Sequence, residues 1–531
     1  MITNLLWLVL AGPLALIALV LVPNARANAG ARRFADLARN IALATMGSAL
    51  MVLCLVLTKG AAHTPALVPG LGLWLDTLSA VMFLLVSFVG TIVVNYSRNY
   101  MDGDADHGRF TRLLALTLGS VLTLIISGNL VQFIAAWVAT SMGLNQLLLF
   151  YCDRPAAILA ARKKFIASRI GDLSIALAVG ILWQVFGGLD YATLFNGARG
   201  LAAAGVATPA SVHLAAGLLV LAALLKSAQF PMHGWLIEVM ETPTPVSALL
   251  HAGIINAGGF LLLRFADVLG LSVPAMDALA LVGGFTALFG SVVMLTQSAV
   301  KVSLAWSTIA QMGFMMLQCG LGAWSAALLH ILAHSLYKAH AFLSSGSVID
   351  IARASWSPSP GGQLHPARLT IAVGVVLAGT LAAGLALGLH PTAEPGVFAL
   401  GAIMLLGLTH FISQAIDERP TGFVIVRTIG MAALVAVAYF ALQAAMAALM
   451  AGTLPPPQTL RGGLMLAIIV LVIGGFALLT IMQSTFTSAR AGSGPAWARA
   501  LYVHVSNGLY VNTIANRLVL KFWPTGMTSG R

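Results

Sequence analysis

The sequence predicts an all-α polytopic membrane protein with about 14–15 transmembrane helices. Three observations carry this. Only 8% of the 531 residues are charged and 59% are hydrophobic, whereas a soluble globular chain carries about 25% charged residues. Mean hydropathy is +0.94. Apolar windows of roughly 18 to 25 residues recur along the whole length, which is what a helix needs to cross a bilayer. The alternating pattern of a membrane β-barrel is missing, and no hydrophilic block is long enough for a soluble domain.

Apolar runs between polar breaks place the spans at 3–23, 38–58, 71–95, 111–127, 129–150, 165–186, 213–240, 243–268, 275–297, 300–320, 324–346, 368–388, 397–416, 423–450 and 463–484. The first run, LLWLVLAGPLALIALVLV, shows no basic leader or small-residue cleavage site, so it reads as a retained span. Alternate loops are basic, with Arg26, Arg32 and Arg33, then Arg98, Arg109 and Arg112, then Arg154, Arg162, Lys163 and Lys164, then Lys301, then Arg353 and Arg368. Arg490, Arg499, Arg517 and Lys521 follow in the tail. The positive-inside rule puts the N-terminus outside, in the periplasm of a bacterial inner-membrane protein, and the tail in the cytoplasm. This bias accounts for the net charge of +12 better than nucleic-acid binding does. The tail 485–531 is amphipathic and suits a membrane surface, a partner or the cytoplasm. Cys54, Cys152 and Cys319 lie far apart, form no redox or metal motif, and read as buried structural thiols.

Charges inside spans are costly, about 2.5–3.5 kcal/mol each on insertion scales, and mark functional positions. Lys226 in LLKSAQFPMHGW precedes Pro231, which removes a backbone donor and breaks the helix. Broken helices occur at membrane depth where they line a cavity. A desolvated lysine gives up its proton more readily than a hydrated one; the bland alternative is a lysine snorkelling to the interface. Glu238 and Glu241 follow, then Pro243 and Pro245 at the start of a new helix, with His251 about two turns in. His251 is either a satisfied core histidine or a relay group.

His330, His334 and Lys338 are spaced i, i+4, i+8. Their directions drift by only about 80° on a helix, so they share one face, while His340 points about 200° away from Lys338. Stacked ionisable groups on a membrane helix suit proton transfer. Zinc binding by the two histidines would need a third ligand that the pattern does not supply. Asp172 beside Arg169 is a local ion pair or a relay group, and Asp76 is a weaker candidate of the same kind. DGDADHG (102–108) lacks the spacing of a calcium loop and reads as solvated. No dinucleotide fingerprint, iron–sulfur cysteine set or P-loop is present in the sequence, so no cofactor is expected in this chain.

YSRNYM, RIGD, KSAQFPMHGWL, PTPVSALLHAG, KVSLAWSTIAQMG and HILAHSLYKAHAFLSSGSVI, in that order between about 70 and 350, resemble the proton-translocating antiporter-like subunits. That family is shared by respiratory complex I, membrane-bound hydrogenases and Mrp antiporters. The resemblance implies two inverted five-helix repeats with broken helices, here 111–268 and 275–416. They would be flanked by N-terminal helices 1–110, C-terminal helices 423–484 and the tail 485–531. It makes Lys226 the central lysine of the first repeat and Lys338 the lysine joining the second, with His251, His330 and His334 along the axis. Glu238, Glu241 and Asp172 would supply carboxylates to that ion pathway.

Two departures stand out. Val138 in AAWVATSMG occupies the place of the glutamate that usually partners the broken-helix lysine. No lysine follows Lys338 until Lys521; His410 in LLGLTHFISQA stands nearest to the missing later lysine. Within the family, the wording SAQFPMHGWLIEVMETPTPVSALLHAGIINAGG is most similar to membrane subunits of two-component inorganic carbon pumps. That implies a non-enzymatic subunit passing protons or sodium ions, with CO2 hydration to bicarbonate in a cytoplasmic partner resembling a zinc β-carbonic anhydrase. The alternatives are a proton-pumping subunit of a complex I or hydrogenase-type oxidoreductase, and a non-conducting membrane anchor.

Overall fold

The computed structural model describes residues 6–64, 70–346, 366–386, 392–415, 422–490 and 495–523. Every expected span falls on a helix or on a pair of broken helices. Among the described residues, nine helices are long and apolar enough to cross a membrane, and four shorter apolar helices accompany them. The chain is a multi-pass α-helical membrane protein. Leucines such as Leu50, Leu57, Leu173, Leu177 and Leu471 are exposed on these helices, where lipid chains would cover them. The described strands are two two-residue segments, Ala62–His63 and Trp74–Leu75, paired antiparallel.

The chain divides into two compact units. The first comprises Met1–Ala275, Ile331–Ser345 and Asn512–Arg531; the second comprises Met276–His330 and Gly346–Val511. In the second, helix Val273–Thr296 packs closely against Val300–Gly320 through small residues. A Cβ added at Gly283 would lie 2.5 Å from the Leu317 nitrogen, so the two backbones touch as membrane helices do at small-residue seams. A cluster including Leu317, Ile403, Ile468 and Val472 continues that core.

Three features depart from the expected layout. Helix Pro155–Phe186 begins at Pro155, which sits at its first turn, a position proline tolerates. Lys163 and Lys164 are therefore inside a helix and only 8% and 3% exposed, not in a solvated basic loop. The stretch 187–212 holds a helix, Tyr191–Ala204, capped by Asp190 accepting from the Thr193 N–H at 2.9 Å. The span 243–268 is not continuous. Thr244–Ala252 ends at Gly253, a short 3-10 turn Ile254–Asn256 follows, and Ala257–Arg264 resumes. The thiols divide as well: Cys319 is buried, but Cys54 and Cys152 are exposed.

Candidate functional site

Helix Ala210–Lys226 ends on Lys226. A helix C-terminus presents unpaired carbonyls and the negative end of the macrodipole, which favours a cation there. The next segment is irregular up to Gly234–Glu238. Within it Ala228 is fully buried with φ +50, a conformation that costs a non-glycine residue roughly 1–2 kcal/mol. Such strain gathers at functional sites. The freed backbone is partly satisfied locally: the Gln229 Nε2 donates to the Ser227 carbonyl at 2.8 Å, and Ser227 Oγ donates to the Ile255 carbonyl at 3.0 Å. Gly258 permits this approach, since a Cβ there would lie 2.2 Å from Ser227 Oγ.

Lys226 is 9% exposed. Its Nζ donates to Ser141 Oγ at 2.8 Å and sits 4.3 Å from the centre of the Trp137 ring, a cation–π contact. Both partners belong to helix Leu130–Leu148. Trp137 directly precedes Val138, so a hydroxyl and an aromatic face contact the ammonium in the region where the resemblance expects a glutamate. The Asp172 carboxylate acts on Lys226 electrostatically and is itself paired with Arg169 at 2.6 Å. The local ion pair read from RIGD is therefore present and also lies within range of the lysine.

Glu238 goes elsewhere. It pairs with Lys163 at 2.6 Å and accepts from Asn512 Nδ2 at 2.9 Å and Asn516 Nδ2 at 2.8 Å. Lys163 in turn donates to Asn512 Oδ1 at 2.7 Å and Asn516 Oδ1 at 2.6 Å. Helix Val511–Phe522 thus turns its polar face inward onto this pair, while Ile514, Leu518 and Phe522 are 57%, 52% and 79% exposed. Gly234 makes room for it: a Cβ there would meet the Asn512 side chain at 1.9 Å. Arg162 stacks over Trp523, 5.0 Å from the ring centre. Glu241 lies on the 3-10 turn Val239–Glu241, but its side chain is outside the described residues.

Asp76 is a structural group. It caps helix Thr77–Tyr100 by accepting from the Ser79 N–H at 2.8 Å. It also receives both Nη atoms of Arg264, at 2.6 and 3.1 Å, and the Trp74 Nε1 at 3.0 Å.

Pro243 and Pro245 stand at the start of helix Thr244–Ala252, and His251 lies in its last turn. His251 is fully buried, stacks on Phe342 with ring centres 4.3 Å apart, and feels the charge of Lys338. The break after it is stitched by Asn256, whose Nδ2 donates to the Ala252 carbonyl at 3.1 Å and to Ser335 Oγ at 2.8 Å. On helix Trp324–Leu343, His334 and Lys338 are buried and His340 is exposed, as their helical spacing requires. His330, a turn earlier, is half-buried beside Phe314, with ring centres 5.6 Å apart. His410 lies on helix Pro395–Ala415, and its side chain is outside the described residues.

Sequence reasoning missed Ser141, Trp137, Lys164, Asn512 and Asn516. Lys164 is within hydrogen-bond reach of the same residue as Lys226: its Nζ donates to the Ser141 carbonyl at 2.6 Å. The proline at 155 was the available signal, because it starts a helix early enough to carry both lysines into the bundle. As a whole, the first unit buries ionisable groups at two helix ends, Lys226 and His251, and in mid-helix at His334 and Lys338, groups whose chemistry suits proton exchange.

Residues 127–385 match the family model described as NADH:quinone oxidoreductase/Mrp antiporter, TM, and residues 63–111 match complex I chain 5 N-terminus. The chain is 39% identical to the "probable inorganic carbon transporter subunit DabB2" of Halothiobacillus neapolitanus, over 97% of this chain and 94% of the relative. It is 36% identical to DabB of Hydrogenovibrio crunogenus, similarly described, over 86% and 84%. NADH-quinone oxidoreductase subunit L of Mycobacterium tuberculosis is 37% identical over 65% of this chain and 56% of its own length. Among solved structures, the Mrp complex from Dietzia superposes with a TM-score of 0.61 at 23% identity, covering 98% of this chain and 60% of that one. The archaeal membrane-bound sulfane sulfur reductase gives 0.55 at 17%, covering 94% and 99%.

Proposed function

The chain belongs to the DabB inorganic carbon transporter subunits, a branch of the NADH:quinone oxidoreductase/Mrp antiporter membrane family, and from that premise we propose that it is the proton-conducting half of a two-component carbon pump. One observation supports this most. Lys226 is buried at the end of a broken helix, held by Ser141 Oγ and the Trp137 face, with the nearby carboxylate shared with Arg169. An amine held this loosely can lose and regain a proton without dismantling the fold.

The pathway runs through Asp172 and Lys226, then His251, His334 and Lys338, with His330 one turn further along the last helix. The Lys163–Glu238 pair ties helix Pro155–Phe186 to the short helix just beyond the break and fixes its end. The partner is a DabA-like, carbonic-anhydrase-like subunit holding zinc on the cytoplasmic side of the bacterial inner membrane, where it hydrates CO2. The N-terminus of this chain lies in the periplasm and the tail lies on the partner's side. One charge crossing ~150 mV releases about 3.5 kcal/mol, enough to hold a concentration ratio of roughly 300-fold. One or two protons per turnover therefore suffice for useful bicarbonate accumulation.

The test is reconstitution of this chain with its DabA-like partner in liposomes under an imposed proton gradient. Bicarbonate formation should follow the gradient and stop when an uncoupler collapses it. Formation that ignores the gradient would leave the chain a non-conducting anchor. Substituting a sodium gradient identifies the ion.

A further inference from the structure

Lys164 is a buried cation that the pathway above does not use. It is 3% exposed in the interior of helix Pro155–Phe186. Its ammonium donates to the Ser141 carbonyl at 2.6 Å, while Lys226 donates to Ser141 Oγ at 2.8 Å. The two amines therefore converge from different helices on the two oxygens of one residue. Both also line a single narrow cavity, at the size limit for one water molecule, together with Ser168, Leu225 and Trp235. Phosphate or bicarbonate would not fit there.

The charges facing this point are few. Helix Pro155–Phe186 contributes Lys164, Arg169 and Asp172, and helix Ala210–Lys226 contributes Lys226. Helix Leu130–Leu148 contributes only the neutral Ser141 and Trp137. Helix Gly234–Glu238 contributes Trp235, with Glu238 committed to Lys163. Asp172 is already paired with Arg169. If both lysines carried a proton, the cluster would bury two uncompensated positive charges. Like charges drawn to one residue disfavour each other, and such a pair titrates as a unit.

We propose that Lys164 and Lys226 form a lysine pair that shares one proton across Ser141, in place of a lysine–carboxylate pair. This rests on the ion-path reading above and adds a second proton-carrying residue to it. In the exchange, an N–H bond of the Lys164 ammonium breaks as an N–H bond forms on neutral Lys226, relayed by one water in the cavity that both amines line or, once Lys164 turns from the Ser141 carbonyl to Oγ, by that hydroxyl, which accepts one proton as it gives up its own. The proton count of the pair is unchanged by the transfer. Conduction follows when Lys226 passes its proton onward and Lys164 is reloaded.

The competing role for Lys164 is structural, as a donor that satisfies the Ser141 carbonyl. Two substitutions separate the roles, because arginine keeps both the donor and the charge but does not release its proton. Proton flux would be followed with a pH-sensitive dye in liposomes holding the whole complex, across a range of pH. Lys164→Arg should lower flux about tenfold and move its pH profile about one unit downward, because Lys226 then always faces a like charge and gives up its proton sooner. Lys164→Gln should lower it comparably and leave the residual profile without an upward move, because Lys226 holding the single shared proton already faces a neutral amine; a permanently charged, merely structural Lys164 would instead give an upward move on its removal. Ser141→Ala, which keeps the carbonyl and removes the relay oxygen, guards against misfolding of the lysine variants and should slow flux several-fold. Full flux or an unmoved profile in Lys164→Arg, or an upward-moved profile in Lys164→Gln, overturns the lysine pair. Lys226→Ala is the control: if it conducts normally, the ion-path reading itself falls, which is a different failure.

Discussion

Two buried cations in the first unit are held in opposite ways. Arg264 is held through both Nη atoms: Asp76 accepts from each, Ser79 Oγ accepts at 2.6 Å, and Asp76 is itself a helix cap. Lys226 has one hydroxyl, one aromatic face and a carboxylate engaged by another arginine. The guanidinium matches the carboxylate fork and does not deprotonate, so the first site is a rivet. The ammonium can become a neutral amine, so the second is a place where charge can come and go. Burial alone does not tell the two apart. What separates them is the number of committed partners and the chemistry of the cation.

The largest expected effects test that contrast directly. Asp76→Asn leaves Arg264 buried without its counter-ion and should cost about 3–5 kcal/mol, seen as a loss of folded, detergent-stable protein; an unchanged melting temperature would make the rivet a surface ornament. Lys226→Ala and Lys338→Ala should each bring proton flux to background while unfolding near the wild-type temperature. If either variant loses its fold and not its flux, the two classes of cation are not distinct.

A smaller effect is expected at the Lys163–Glu238 clamp. Glu238→Gln removes the charge from the four-way contact with Asn512 and Asn516 and should loosen helix Val511–Phe522 by about 1–3 kcal/mol. Faster hydrogen exchange across 511–522 is the readout, and unchanged exchange would mean that the apolar face alone fixes that helix. The smallest effect belongs to Asp190, outside the spans. Partial burial pushes its carboxyl up, but hydrogen bonds from the Thr193 N–H and Oγ1 outweigh this and hold it below the usual 3.8. Its folded value lies under its unfolded one, so its contribution is present above about pH 4 and fades as acid carries the pH through the folded value. Asp190→Ala should therefore lower stability slightly, about 1 kcal/mol or less, and by more near neutrality than in acid, in thermal melts across that pH range.

The fold was largely legible because the bilayer demands long apolar helices, and those leave an unmistakable pattern. Lys226 and its break were legible as well, since a lysine in an apolar run and Pro231 nearby are both local signals. Its partner was not. Ser141 is an ordinary small residue in a membrane helix, and nothing in AAWVATSMG marks it as a hydrogen-bond acceptor for an amine 85 positions later. The clamp on Glu238 was hidden for the same reason, with Asn512 lying 274 residues away. The misassignment of Lys163 and Lys164 had another origin. Positive-inside reasoning counts basic residues near span ends as loop residues, and only the helix start at Pro155 moves them into the bundle. The break at Gly253 was masked because GIINAGG stays apolar throughout, so hydropathy ran straight across it. The helix Tyr191–Ala204 could have been found: Asp190 three residues before Thr193 is an N-cap signal.

The central claim is that Lys226 carries the moving proton and is not merely a structural cation. The direct measurement is proton uptake into liposomes holding the complex with its partner, comparing wild type with Lys226→Ala under one imposed gradient at equal amounts of folded protein. The wild type should show gradient-driven uptake and the variant only leak-level uptake. Uptake at the wild-type rate in Lys226→Ala would contradict that claim.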